Sequence, residues 1–155
     1  MTTQPEFSVR ILPWEGSLYG KPGGVFRQRT LILGGSHYSD EYESFHNPNV
    51  QHEWATFTNE VVEYYLDDNI RGRWKGTYSR FINSVYGVST DNDLRTHFFE
   101  SVVFYNYLQE IAGGGPTEAY RYDYDESRHF HAFFEVLERK RPKFVPPPAG
   151  RRDVC

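Results

Sequence analysis

A chain of 155 residues can bury one substantial core and needs no second domain, so a single domain over 1–155 is expected, with an irregular N-terminal arm over 1–28 and an irregular tail over 146–155. One cysteine, at the last position, excludes an internal disulfide framework and a thiolate metal cage, and no stretch reaches membrane-spanning length, so a cytoplasmic protein with no membrane partner is expected. The formal net charge of −4 taken alone leans against nucleic-acid binding.

The predicted elements follow the hydrophobic pattern. The arm is rich in Pro and Gly around Pro13-Trp14 and Gly20 to Gly24. Thr30 to Leu33 reads as a buried strand that stops at the paired glycines Gly34-Gly35. A long polar loop, Ser36 to Glu53, follows, and a loop of that length in a compact domain is usually functional or disordered. From Thr58, placed to cap the start, Val61, Val62, Tyr65 and Leu66 share one helical face. Trp74, Tyr78, Phe81, Ile82 and Val85 predict a second helix closed by Gly87, and Asp91 or Asp93 opens a third through Phe99. Val102 to Tyr107 reads as a second buried strand closed by Gly113 to Pro116, and a final helix runs from about Asp125 through Phe130, Phe133, Phe134 and Leu137. Lys143 to Val145 starts a third strand that Pro146-Pro147-Pro148 ends. Strands separated by helices imply an α/β fold: a three-layer α/β/α sandwich with a short, mainly parallel central sheet.

Aromatic residues make up 17% of the chain, and core packing accounts for most, with stacking on a planar ligand as a further use. Basic residues bunch at Arg71, Arg73, Lys75 and Arg80 and again at Arg139, Lys140, Arg141 and Lys143. Such clusters are either solvated faces or a local groove for a phosphate backbone, and Arg71, Arg73 and Lys75 are the DNA-binding candidates.

The loop Gly34-Gly35-Ser36-His37-Tyr38-Ser39-Asp40 is the first constellation that can carry chemistry. In an open α/β sheet ligands sit beyond the carboxyl ends of the strands, where loop amides can hold an anion or a carbonyl oxygen. Tyr38 offers a flat wall, and His37 or Asp40 can orient a water; the plain alternative is a Gly-rich turn with surface side chains. The second is Asn106, an amide on an otherwise apolar strand whose donor and acceptor match a nucleobase edge, or which bonds neighbouring backbone at a strand end. His37, His46 and His52 with Glu53 lack the helical two-histidine spacing of a metal site, so no metal and no cofactor is expected. His129 and His131 read as cap or surface residues, and the glycines match neither common phosphate-loop pattern.

Leu31 to Tyr38 together with Val102 to Gln109 resembles the uracil-DNA glycosylase superfamily, in which a first strand ends in a Gly-containing water-activating loop and a later strand ends in a base-reading Asn. A divergent branch with a Gly-Glu-Ser-His-Tyr loop and a Phe-Tyr-Asn-x-x-Gln strand is closer still to Gly34-Gly35-Ser36-His37-Tyr38 and Phe104-Tyr105-Asn106-Tyr107-Leu108-Gln109. The resemblance runs in order from Pro13-Trp14 to Pro142. Gly35 and Ser36 stand where that family usually carries Glu or Asp, and its later His-Pro-Ser loop has no counterpart before Cys155, so the tail reads as a truncated ending of a longer fold.

The resemblance implies a monofunctional DNA glycosylase acting on bulky modified pyrimidines such as glucosylated hydroxymethylcytosine in phage DNA, with DNA as partner and the chain as a monomer. Ser36, His37 and Asp40 are its catalytic candidates; Gly34, Gly35, Tyr38, Phe57 and Asn106 are its base-binding candidates, with Phe45 as another stacking ring. Two other readings stay open: an inactive nucleic-acid or nucleotide binder on the same fold, and a small-molecule hydrolase on the same scaffold.

Overall fold

Two apolar pentads form the centre of the computed structural model, which describes residues 9–115 and 125–146. Strands β2 (Thr30–Gly34) and β3 (Val102–Asn106) pair in parallel, from Thr30 opposite Val102 to Gly34 opposite Asn106. The two-residue strand β1 (Trp14–Glu15) runs antiparallel along the other edge of β3, giving the order β1-β3-β2. The sheet is therefore mixed, and the arm expected to be irregular supplies its edge: two residues are too few to display an alternating pattern.

Five helices complete the described residues: α1 (Tyr42–Phe45), α2 (Phe57–Leu66), α3 (Lys75–Tyr86), α4 (Asn92–Glu100) and α5 (Glu126–Lys140). Successive strand side chains point to opposite faces. Ile32, Val102 and Phe104 pack against Val62, Tyr65, Ile82, Phe98 and Phe99 of α2, α3 and α4. Leu31, Val103 and Tyr105 pack against Phe133, Val136 and Leu137 of α5. Because helices cover both faces, the central strands are apolar throughout, which is why they read as unbroken hydrophobic runs.

The helix ends follow local chemistry. Asp91 accepts the Leu94 amide at the start of α4, Asp125 accepts the Ser127 amide at the start of α5, and Gly87 closes α3 in the left-handed region at φ 72°. Thr58 is not the cap expected at α2; it lies inside the first turn, buried, with its hydroxyl turned to the site described below. The strand expected at Lys143 to Val145 is reduced to a single parallel bridge between Phe144 and Thr30. The remainder of the tail, the first eight residues of the arm and Pro116 lie outside the described residues. Among the described residues no helix is long and apolar enough to cross a membrane.

Candidate functional site

The parallel register sets Gly34 beside Asn106 at the carboxyl ends of the two central strands. Beyond them the chains stay joined: Tyr107 donates to the Gly34 carbonyl, Leu108 to that of Gly35, and Ala112 to that of His37. The loop after β2 is thus fastened along the segment after β3. A Cβ on Gly34 would overlap the Asn106 side-chain oxygen and stand 3.1 Å from its Cγ, so the glycine is what lets the amide lie against the backbone. At Gly35 a Cβ would meet nothing within 4 Å, so the loop is open to solvent there.

Asn106 is 4% exposed and His37 3%. A buried polar group must find partners. The Asn106 amide nitrogen lies 3.1 Å from the His37 ring nitrogens, and His37 Nε2 lies 2.9 Å from Thr58 Oγ1. A neutral ring whose Nδ1 accepts from Asn106 and whose Nε2–H donates to Thr58 satisfies both partners, and the opposite tautomer leaves Nε2 to accept from them. Burial lowers the His37 pKa to about 3, so the ring is neutral at physiological pH. Consecutive residues at the start of α2 frame this imidazole, Thr58 by its hydroxyl and Phe57 edge to face at 4.8 Å. The aromatic chain continues from Phe57 to Phe45, which stacks on His52 at 4.0 Å and meets Trp54 at 5.1 Å; the Arg10 guanidinium lies over Trp54.

Gln109, three residues past Asn106, fixes the strand end. Its side-chain oxygen accepts from the Arg10 and Ile11 amides, each at 2.9 Å, its side-chain nitrogen donates to the Asn106 carbonyl, and its own amide donates to His129 Nδ1. His129 is fully buried, not the cap or surface residue expected, and burial lowers its pKa; His131 is exposed. The helical spacing that gives α5 its apolar face also brings His129 inward, because an imidazole whose Nδ1 meets a backbone donor is tolerated there.

The structure therefore brings Gly34, His37, Phe57 and Asn106 together and adds Thr58, Gln109 and His129, which the sequence offers only as a helix cap, a motif residue and a cap or surface residue. Ser36 is half-buried and Asp40 exposed, and neither belongs to the His37–Asn106–Thr58 hydrogen bonds. Tyr38 is 39% exposed; burial, and in smaller part the neighbouring Tyr38, push the Tyr78 hydroxyl up to about 12. Tyr78 on α3 packs against Phe104 and Trp74. Arg71 and Arg73 are exposed in the loop ahead of that helix, whereas Lys75 donates to the Asp67 carbonyl at 2.6 Å. His46 reaches the Ile111 carbonyl and His52 the Ser44 hydroxyl, and among the described residues no three His, Cys, Asp or Glu side chains gather as a metal site.

No family model, curated protein or solved structure matches the chain. What the site can do follows from its own atoms. A neutral imidazole, a primary amide and a hydroxyl form a chain of donors and acceptors without formal charge, bounded by a glycine loop on one side and aromatic rings on the other. Such a set can read the edge of a planar polar ligand and hold it by stacking. Its amide N–H faces His37, so a ligand edge must take the place of that imidazole.

Proposed function

We propose that the chain is a monofunctional DNA glycosylase with a uracil-DNA glycosylase-like fold, which binds a flipped, modified pyrimidine and hydrolyses its bond to the sugar. The observation that carries this reading is the pairing of Gly34 with Asn106: the glycine loop and the base-reading amide meet at one point at the carboxyl ends of adjacent parallel strands. Entry of a base exchanges the Asn106–His37 hydrogen bond for one to the base edge and moves His37 away from Thr58 and Phe57, a cost that base binding must offset. The freed imidazole, uncharged, can then accept from water or donate to the departing base. Phe57 and Tyr38 supply stacking surface, the open side of Gly35 leaves room for a bulky substituent, and exposed Arg71 and Arg73 supply phosphate contacts. In hydrolysis the bond between base nitrogen and C1′ breaks, the base leaves with the electron pair, and water adds to C1′, leaving an abasic site.

The test is incubation with DNAs carrying uracil, hydroxymethylcytosine and glucosylated hydroxymethylcytosine, with mass spectrometry of the released bases. Release is expected from at least one modified DNA, and Asn106→Ala should weaken transition-state binding by about 1–3 kcal/mol. Absence of any released base overturns the enzymatic reading.

A second reading, a nucleic-acid or nucleotide binder without catalysis, is favoured by one observation: no carboxylate stands at Gly35 or Ser36, and Asp40, the loop's first acid, is exposed. Salt-dependent DNA affinity without alkali-labile sites identifies that case.

A further inference from the structure

The sheet ends abruptly at β1. Beside that two-residue edge strand, residues of the N-terminal arm, α2 and α5 line a cleft of about 330 Å³. That volume is at the small-ligand end of the range for binding pockets. Leu12, Trp14 and Val136 supply its apolar surface.

The polar groups of the two walls differ. On the α5 side the cations are engaged: Lys140 binds Glu15 across the cleft, and Arg139 binds Glu135 at 2.6 Å. On the α2 side Asn59 and Glu63, one helical turn apart, both line the cleft. The Asn59 side-chain oxygen is buried with no hydrogen-bond partner, and among the described residues no cation pairs with Glu63. An acceptor buried without a donor costs free energy, which a ligand recovers once the Asn59 side chain turns its oxygen toward the cleft. This wall thus presents one acceptor that lacks a donor and one carboxylate that no cation of the described residues pairs, beside a surface that favours an apolar body.

We propose that this cleft, separate from the Asn106 site, binds a small protonated amine with an apolar or aromatic body, its ammonium group held by Glu63 and the Asn59 carbonyl and its body against Trp14 and Leu12. The inference is independent of the glycosylase reading.

The probe is phenethylamine, titrated into the full chain by calorimetry and by amide chemical shifts. Saturable binding that shifts resonances of α2 and residues 12–15 is expected. Uncharged N-acetylphenethylamine and anionic phenylacetate should bind at least about tenfold more weakly, and Glu63→Gln should weaken the amine about fivefold, the scale of an exposed ion pair. Because Glu63 is exposed, that variant keeps the fold, which circular dichroism verifies. Equal affinity for the charged and acetylated probes, unchanged affinity in a folded Glu63→Gln variant, or no saturable binding overturns the proposal. Tighter binding of Nα-acetyl-lysine amide than of phenethylamine overturns it too, by assigning the cleft to a protein lysine.

Discussion

Replacing Gly34 by alanine tests the junction on which the site is built. The new Cβ cannot coexist with the Asn106 side chain as it lies, since it would overlap the side-chain oxygen and stand 3.1 Å from Cγ. Gly34 is not among the glycines with positive φ, so the penalty comes from this collision and not from backbone strain. The amide must swing away, which breaks its hydrogen bond to buried His37 and crowds its neighbours. Leaving such a buried pair unmet costs about 1–3 kcal/mol and overpacking costs about 1–3 kcal/mol. Both describe partly the same displacement, so about 2–4 kcal/mol is expected, or a fall in Tm of roughly 4–16 °C for a chain of this size. Urea and thermal unfolding measure it. In an Asn106→Ala background the collision partner is gone, and most of the Gly34→Ala cost should vanish, a coupling of about 2 kcal/mol. Gly35→Ala is the control, since its Cβ meets open space, and it should stay within about 0.5 kcal/mol of the parent. A full Gly34→Ala cost in the absence of the Asn106 amide would refute the reasoning.

His37 makes a pH prediction. Its folded pKa of about 3 lies below the ordinary 6.5, so the unfolded chain takes up the extra proton; stability from this group is complete above about pH 6.5 and is lost as pH falls toward 3. From pH 7 to 5 its share of the loss is about 2 kcal/mol, read as the difference in urea stability between the parent and His37→Gln, whose profile should be flatter. Thr58→Val removes the hydroxyl bonded to His37 Nε2 while keeping side-chain shape, and should cost about 1–3 kcal/mol in chemical denaturation. Gln109→Leu strands the amides of Arg10 and Ile11, so their hydrogen exchange should accelerate well beyond that of β2, with a stability loss of about 2–4 kcal/mol.

The two central strands, the four main helices and three of their ends were legible because their signals are local. Leu31 to Leu33 and Val102 to Tyr105 are uninterrupted apolar runs, Gly87 marks a left-handed helix end, and Asp91 and Asp125 sit where a cap is required. What stayed hidden depends on distant partners. Thr58 has the composition of a cap, yet its hydroxyl serves His37, 21 positions away. His129 carries no local sign of burial; its partner is the amide of Gln109, 20 positions earlier. Trp14 and Glu15 form a strand only because β3 offers them a free edge. The glycine loop and Asn106 were visible as separate features, whereas their contact is a matter of register, which depends on how two remote segments align.

The way the sheet is wired bears on how the chain reaches this state. None of its pairings is a hairpin: β3 joins one partner from the N-terminal arm and another separated from it by four helices, and the Gln109 clamp spans 99 positions. Closing such large loops costs entropy before any contact rewards it, so assembly should be slow for a domain of this length, with α2 to α4 forming early and the strands zipping last. Until that final step both pentads, apolar on each side, are uncovered together, which makes the interval before closure the period in which the newly made chain is most prone to self-association.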